Sequence, residues 1–299
     1  MSRAKTVAHG PIMIQVSVIV PFYNSERYIQ RCVEGLLQQS LPREAYELIL
    51  IDNNSTDSSA ETARQYPGIR LLTEPKQGAY AARNRGLQEA KGEVLAFIDA
   101  DCVPAHDWLH QIMMAMEQPN LSIVLGQREY GGDSHVLSMF AAYEDEKHHY
   151  VFNSRKKELY YGHTNNMAVK KHLFDDLGPF VERARGSDTV FVRQSVNKYS
   201  CEVVRYCPQI RVRHLEIETP RNLYQKFFIY GRSRRSHRLI VEQEPLSNKE
   251  RLQVFRNVVR TRRYSWMESM MLILYLGIGL AYWNLGAISL AKEEKDPVK

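Results

Sequence analysis

Two carboxylates separated by one residue, Asp99 and Asp101, follow the unbroken apolar run at residues 94–98. A run of that kind suits a strand buried on both faces. Carboxylates are seldom buried without partners, so this pair should stand where the strand leaves the core. A D-x-D spacing at a strand end lets both side chains reach one hard divalent cation. Mg²⁺ and Mn²⁺ take oxygen ligands and share their sphere with phosphates. Such an ion would hold a diphosphate and neutralise charge developing on a leaving group. The plainer reading of the same triplet is a turn whose aspartate caps the next element.

The elements that must position these residues are visible upstream. "VSVIVP" reads as a strand stopped by Pro21, and Asn24 or Ser25 as the cap of a helix burying Tyr28, Ile29, Cys32, Val33, Leu36 and Leu37. "LILI" is a second strand, with Ser55 or Thr56 as the next cap; "IRLL", "AYAARNRGLQEA" and "VLAFI" give strand, helix and strand. Strands alternating with helices predict a parallel sheet with right-handed crossovers, whose ligands gather beyond the carboxyl ends of the strands. Residues 21–24, 52–54 and 99–101 all fall at such ends and should converge on one crevice. Farther on, the pattern predicts a helix from Leu137, a strand leading into a helix within "YYGHTNNMAVKKHLFDDLG", and two strands, "CEVVRY" and "IRVRH".

Composition narrows the setting. The chain has 299 residues, 44% hydrophobic and 25% charged, as an ordinary globular protein does. Its net charge of +6 thickens late, in "YGRSRRSHR" and "FRNVVRTRR". Those runs suit solvated helix faces or anionic lipid, and no nucleic-acid-binding motif accompanies them. Cys32, Cys102, Cys201 and Cys207 form no C-x-x-C pair, and the first residues lack the apolar core of a signal peptide, so a reducing, cytoplasmic setting is expected. Residues 270–291 carry no charge and are long enough to cross a bilayer. Arg256, Arg260, Arg262 and Arg263 precede them, which by the positive-inside tendency puts the preceding part on the cytoplasmic face of the cell membrane. A buried pair of amphipathic helices is the alternative.

The blocks "VSVIVPFYNSERYIQRCVEGLLQQS", "LILIDNNSTDSS", "GAYAARNRGLQEAKGEVLAFIDADCVP" and "GPFVERARGSDTVFVRQ", in that order, resemble the family 2 glycosyltransferases from about Val16 to His214. The resemblance implies a GT-A fold, a mostly parallel sheet flanked by helices, with a nucleotide-diphospho-sugar donor and inversion at the anomeric carbon. It implies that Asp99 contacts the ribose or metal region and that Asp101 binds the metal, Mn²⁺ or Mg²⁺. Pro21, Tyr23, Asp52 and Asn53 would line base and ribose, although many relatives carry a second aspartate where Asn53 stands. Gly78 and Arg83 fall in the block near the diphosphate, and Arg suits phosphate; a solvated helix face is the other reading of Arg83 and Arg85. Asp188 takes the place of the catalytic base, with Ser187 in place of the usual first acid; it could equally cap a helix beginning near Thr189, which would hold its pKa down. His214 occupies a position that completes the metal shell in some relatives. His163 and Asn165 are candidates near donor sugar and acceptor, and Trp108 is core or acceptor-side packing. No Q-x-x-R-W block follows His214, which argues against a processive synthase.

These readings divide the chain into an extension (1–15), a GT-A domain (16–218), a basic amphipathic region (219–265) and an apolar, membrane-associated segment with a polar tail (266–299). The expected activity is sugar transfer, with a UDP-sugar as the leading donor, to the hydroxyl of a lipid-linked or polysaccharide-precursor glycan acceptor. A polyprenyl-phosphate sugar transferase and a non-catalytic nucleotide-sugar-binding scaffold are the alternatives. A Rossmann dehydrogenase is disfavoured, because no G-x-G-x-x-G follows the first strand.

Overall fold

The computed structural model describes residues 14–183, 185–232 and 244–293. Most of the N-terminal extension, the basic residues 233–238 and the polar tail from residue 294 therefore lie outside the described residues.

Strands β1 (Val16–Phe22), β2 (Tyr46–Asp52), β3 (Ile69–Thr73) and β4 (Val94–Ile98) run parallel, with helices α1 (Ile29–Leu37), α2 (Ser59–Arg64) and α3 (Ala79–Glu89) between successive strands. There follow β5 (Cys102–Pro104), α4 (Trp108–Met116), β6 (Ile123–Tyr130), α5 (His135–Asn153), β7 (Asn166–Lys170), α6 (His172–Leu177), α7 (Ser187–Lys198) and β8 (Val204–His214). Helices α8 (Pro220–Arg232), α9 (Asn248–Arg262) and α10 (Trp266–Glu293) come after the last strand. Among the described residues one sheet runs β3-β2-β1-β4-β7-β6-β8-β5.

Side-chain alternation along the buried strands explains the two-sided core. Val18, Val20, Leu48, Leu50, Ala96 and Ile98 face α1 and α4, while Ile19, Ile49, Ile51, Leu95 and Phe97 face the opposite layer with Phe174, Phe180 and Phe191. In α1 the buried positions Ile29, Cys32, Val33 and Leu36 follow the helical period.

Three local readings are corrected. Asn24 and Ser25 do not cap α1: the Tyr28 and Ile29 amides bond the Ser25 carbonyl in a turn, and the Asn24 side chain accepts from the Thr56 amide at 2.8 Å. Ser55 and Thr56 likewise do not cap α2, since the Ser55 hydroxyl accepts from the Asn24 amide at 3.1 Å. Both sets of predicted caps tie the two loops to each other. Third, "CEVVRY" and "IRVRH" belong to the single strand β8. Gly126 pairs with Cys207 but Gln127 with Arg211, so the residues around Pro208, which lacks an amide donor, bulge out of the ladder. Buried Asn166 locks that bulge, donating to the Gln127 and Ile210 carbonyls and accepting from the Trp108 indole. Trp108 is thereby core packing. The strand β7 is antiparallel to both neighbours, which the alternating pattern did not show.

Among the described residues α10 is the one helix long and apolar enough to cross a membrane. It lies against α8 with backbones in contact: a Cβ on Gly231 would come within 2.0 Å of the Trp283 carbonyl oxygen, and one on Gly286 within 2.0 Å of that of Phe228. Its inner side meets Phe140 and Phe227 through Tyr275 and Leu276, while Trp266, Met270, Ile273, Leu274, Leu285 and Ile288 are exposed.

Candidate active site

The register of the parallel strands brings the three polar ends together. Phe22 pairs with Asp52 across β1 and β2, and β4 lies on the other side of β1, so residues 21–24, 52–54 and 99–101 border one crevice. Its volume is about 440 Å³, and Pro21, Tyr23, Asn53, Arg83, Asp99 and Asp101 line it. Tyr23 stands at the mouth with half its surface open (51%). Gly78 lies between two lining residues, Gln77 and Ala79, at φ +142°, a backbone conformation that a side chain would strain. Asp52 sits one residue behind the wall and accepts from the Ser55 amide at 2.9 Å.

Asn53 is almost fully buried, and its amide is wholly engaged. It donates to the Glu74 and Lys76 carbonyls at 2.9 and 2.8 Å and accepts from the Gly78 amide at 2.7 Å. Its side chain thus holds the loop leading to Gly78, and both of its N–H donors are spent in doing so.

Arg83 is no solvated residue. It is buried, pairs with Asp99 at 2.5 Å, and has a buried Nε with no partner. The guanidinium lies 5.0 Å from the Tyr80 ring centre. Arg85, by contrast, sits at the surface against Glu89. The positive charge of Arg83 also bears on Asp188. Its carboxylate accepts from the Thr164 amide at 3.1 Å and from the Thr189 amide at 2.8 Å. Helix α7 begins at Ser187, so Asp188 lies in its first turn. Those contacts and the helix start favour the anion, yet burial outweighs them and raises the carboxyl pKa above its ordinary value. The lowered pKa expected from a cap is therefore corrected.

Asp101 shows the same competition more strongly. Burial, the Asp99 charge and a hydrogen bond with Glu216 push its pKa up to about 7. His214 ends β8 with Nε2 3.6 Å from Asp101 Oδ2, and burial pulls its pKa down to about 4, so the ring is neutral near pH 7 and the contact is no ion pair. The His214 Nδ1 is buried without a partner. Asp101, His214 and Cys102 offer ligand atoms all within 4.8 Å of one another. A carboxylate oxygen and a neutral imidazole fit a divalent cation such as Mn²⁺. The Cys102 thiol, held protonated by burial and both aspartates, is a poorer donor.

Glu216 was missed. It lines the crevice, bears on Asp101 and pairs with Lys226 at 2.5 Å; an acid two residues beyond a strand-end histidine was the available signal. Tyr80 was missed too, because its place in a helix otherwise rich in alanine and arginine reads as packing, although its ring faces the Arg83 guanidinium and it lowers the Asp188 pKa. His163 is buried and donates to the Gly126 carbonyl at 3.1 Å, while Asn165 keeps a buried, unpartnered Oδ1.

Comparison with known proteins places this geometry. AglE of Haloferax volcanii, a glycosyltransferase, is 34% identical over 174 residues, 55% of each chain. The chain spans about half the length, or less, of the curated relatives it matches. Among solved structures, the mannosyltransferase PcManGT from Pyrobaculum calidifontis in complex with GDP-Man and Mn²⁺ superposes with a TM-score of 0.61 at 17% identity, covering 95% of this chain and 88% of that one. The TarS fragment 1-349 of S. aureus in complex with UDP gives 0.54 at 19% identity, covering 92% and 83%. These likenesses show the GT-A fold. The family model for Glycosyl transferase family 2 matches residues 17–178, more than half of the sequence, and the chain belongs to that glycosyltransferase family.

Proposed function

We propose that the protein is an inverting, metal-dependent glycosyltransferase that moves a sugar from a nucleotide-diphospho-sugar, a UDP-sugar foremost, to a hydroxyl of a lipid-linked or polysaccharide-precursor acceptor. The observation that carries the reading is the buried Arg83 paired with Asp99 at the donor crevice, with its charge also bearing on Asp188. One fixed cation joins the diphosphate side of the site to a carboxylate whose raised proton affinity suits a base. On this reading the acceptor oxygen attacks the anomeric carbon, the bond from that carbon to the diphosphate breaks, and its electron pair leaves on the phosphate oxygen. The hydroxyl proton passes to Asp188, which the Thr164 and Thr189 amides hold in place. Asp101 and His214 would hold the divalent cation, whose chemistry is charge neutralisation on the diphosphate. The complexes of PcManGT with GDP-Man and Mn²⁺ and of TarS with UDP support a nucleotide-linked donor. Residues 16–218 are then the catalytic unit, and the apolar α10 beside the basic α9 supports attachment to the cytoplasmic membrane face.

Thermal unfolding with UDP-, GDP- and dTDP-sugars, each with Mn²⁺ or with a chelator, tests the donor site. Stabilisation by one nucleotide class, dependent on metal and lost in Asp101→Ala, is expected. Asp188→Asn should retain that stabilisation and lose turnover on the order of 10²–10⁴-fold. Undiminished turnover would point instead to a phosphate acceptor, which needs no base, and absence of any donor shift would leave a scaffold.

A further inference from the structure

The loop that leads into the proposed base is fastened on both sides. Ser187, which stands where the family's usual first acid would, donates its hydroxyl to the Val181 carbonyl and closes the loop immediately before Asp188. An ionised acid could not make that bond. Gly186 sits at φ +82°, the left-handed turn through which the chain enters α7. On one side the ties run to α3 and the crevice wall. Asn84 exchanges two hydrogen bonds with the Phe180 backbone, at 2.8 and 3.0 Å, and Glu182 pairs with Lys76 at 2.5 Å.

Arg183 works against this placement. Its Nε and both terminal nitrogens are buried and have no hydrogen-bond partner. A guanidinium taken from water without an acceptor favours any rearrangement that exposes it again. Ties elsewhere on the loop must therefore hold it in.

The far side supplies one. Arg185 places its guanidinium carbon 5.2 Å from the ring centre of Tyr230, within cation–π range. Tyr230 lies on α8, one turn after Lys226 and so on the same face, and Lys226 pairs with Glu216 of the crevice at 2.5 Å. The next residue, Gly231, rests against the Trp283 backbone of α10. Tyr230 thus stands on a helix held from two directions.

We infer that Tyr230 is a positioning residue: its ring pins Arg185 and, through the loop closed by Ser187, holds Asp188 in place beside the donor crevice. The inference rests on the proposed transferase reading and deepens it, since it gives α8 a part in placing the base. Such a tie shifts the loop only by its own worth, about two- to fivefold in population for a cation–π pair near the surface.

Trypsin cleavage after Arg183, followed by mass spectrometry, reads the loop without any substrate, because its rate follows the population in which that residue is exposed. Tyr230→Leu should raise this rate about two- to fivefold. It should lower kcat for the nucleotide-sugar that stabilises the protein by a similar factor, with KM unchanged. Tyr230→Phe keeps the ring and should match the wild type in both. Arg185→Gln, a change at an exposed residue outside α8, should reproduce Tyr230→Leu, and the double variant should be no worse than either single one. Wild-type behaviour of Tyr230→Leu, an equal loss in Tyr230→Phe, or additive effects in the double variant overturns the inference. So does faster cleavage with turnover unchanged, since the tie would then not reach the base. If the wild type shows neither turnover nor a donor thermal shift, the transferase reading falls first; if it shows both and Tyr230→Leu turns over equally well, the positioning role falls alone.

Discussion

Asn53 illustrates how far a motif reaches at the scale of one residue. The block resemblance placed it at the crevice, and the structure has it there, but its amide is engaged by backbone groups of residues 74–78. An aspartate could still accept from Gly78, yet it has no N–H to give the Glu74 and Lys76 carbonyls. Asn53→Asp should therefore destabilise the protein by about 1–3 kcal/mol, the cost of unmade buried hydrogen bonds, and loosen the turn at Gly78. Urea unfolding reads the first effect and donor affinity the second. A neutral substitution would return Asn53 to the nucleotide. The same limit applies to Asp188: position was legible, protonation behaviour was not. Charge balance there depends on Arg83 and on burial among elements far apart in sequence, and a helix-start pattern carries neither.

At the scale of elements, the first four strands and their helices were readable because each apolar run or period is local and complete. The direction of β7 was not, since its partners β4 and β6 are chosen by sheet packing, and neither was the continuity of β8 across Pro208, where local chemistry says stop and tertiary pairing carries on. Caps failed for a related reason: a polar side chain at a loop can bond its own helix or the neighbouring loop, and here the crevice wall won. The α8–α10 contact makes a prediction of its own. Gly286→Val would push a side chain into the Phe228 carbonyl, so the helices must part, with an expected loss of about 1–3 kcal/mol from overpacking. Because α8 also carries Lys226, the partner of Glu216, the variant should weaken metal-dependent donor binding as well as lower the melting temperature. An unchanged melting temperature would mean that the helices are not in register as described.

For the whole molecule, the apolar tail forms one helix with two unlike flanks. The inner flank is packed; the outer one presents Met270, Leu274 and Leu285 beside the arginine-rich α9. Such a surface should float with anionic vesicles, partly in a salt-sensitive manner. Met270→Glu, Leu274→Glu and Leu285→Glu together should abolish flotation while leaving donor binding in place, and persistent flotation would locate attachment elsewhere. Removing α10 altogether is a poorer probe, because Phe140, Phe227 and Val258 would lose their cover. That packing bears on biogenesis. A chain made from its N-terminus completes the sheet, and with it Asp99, Asp188 and His214, before α10 leaves the ribosome. Until then the apolar sides of α5 and α8 stand bare, so the nascent protein passes through a stage with its chemistry assembled but its surface adhesive, when a chaperone or the bilayer itself is the natural shield.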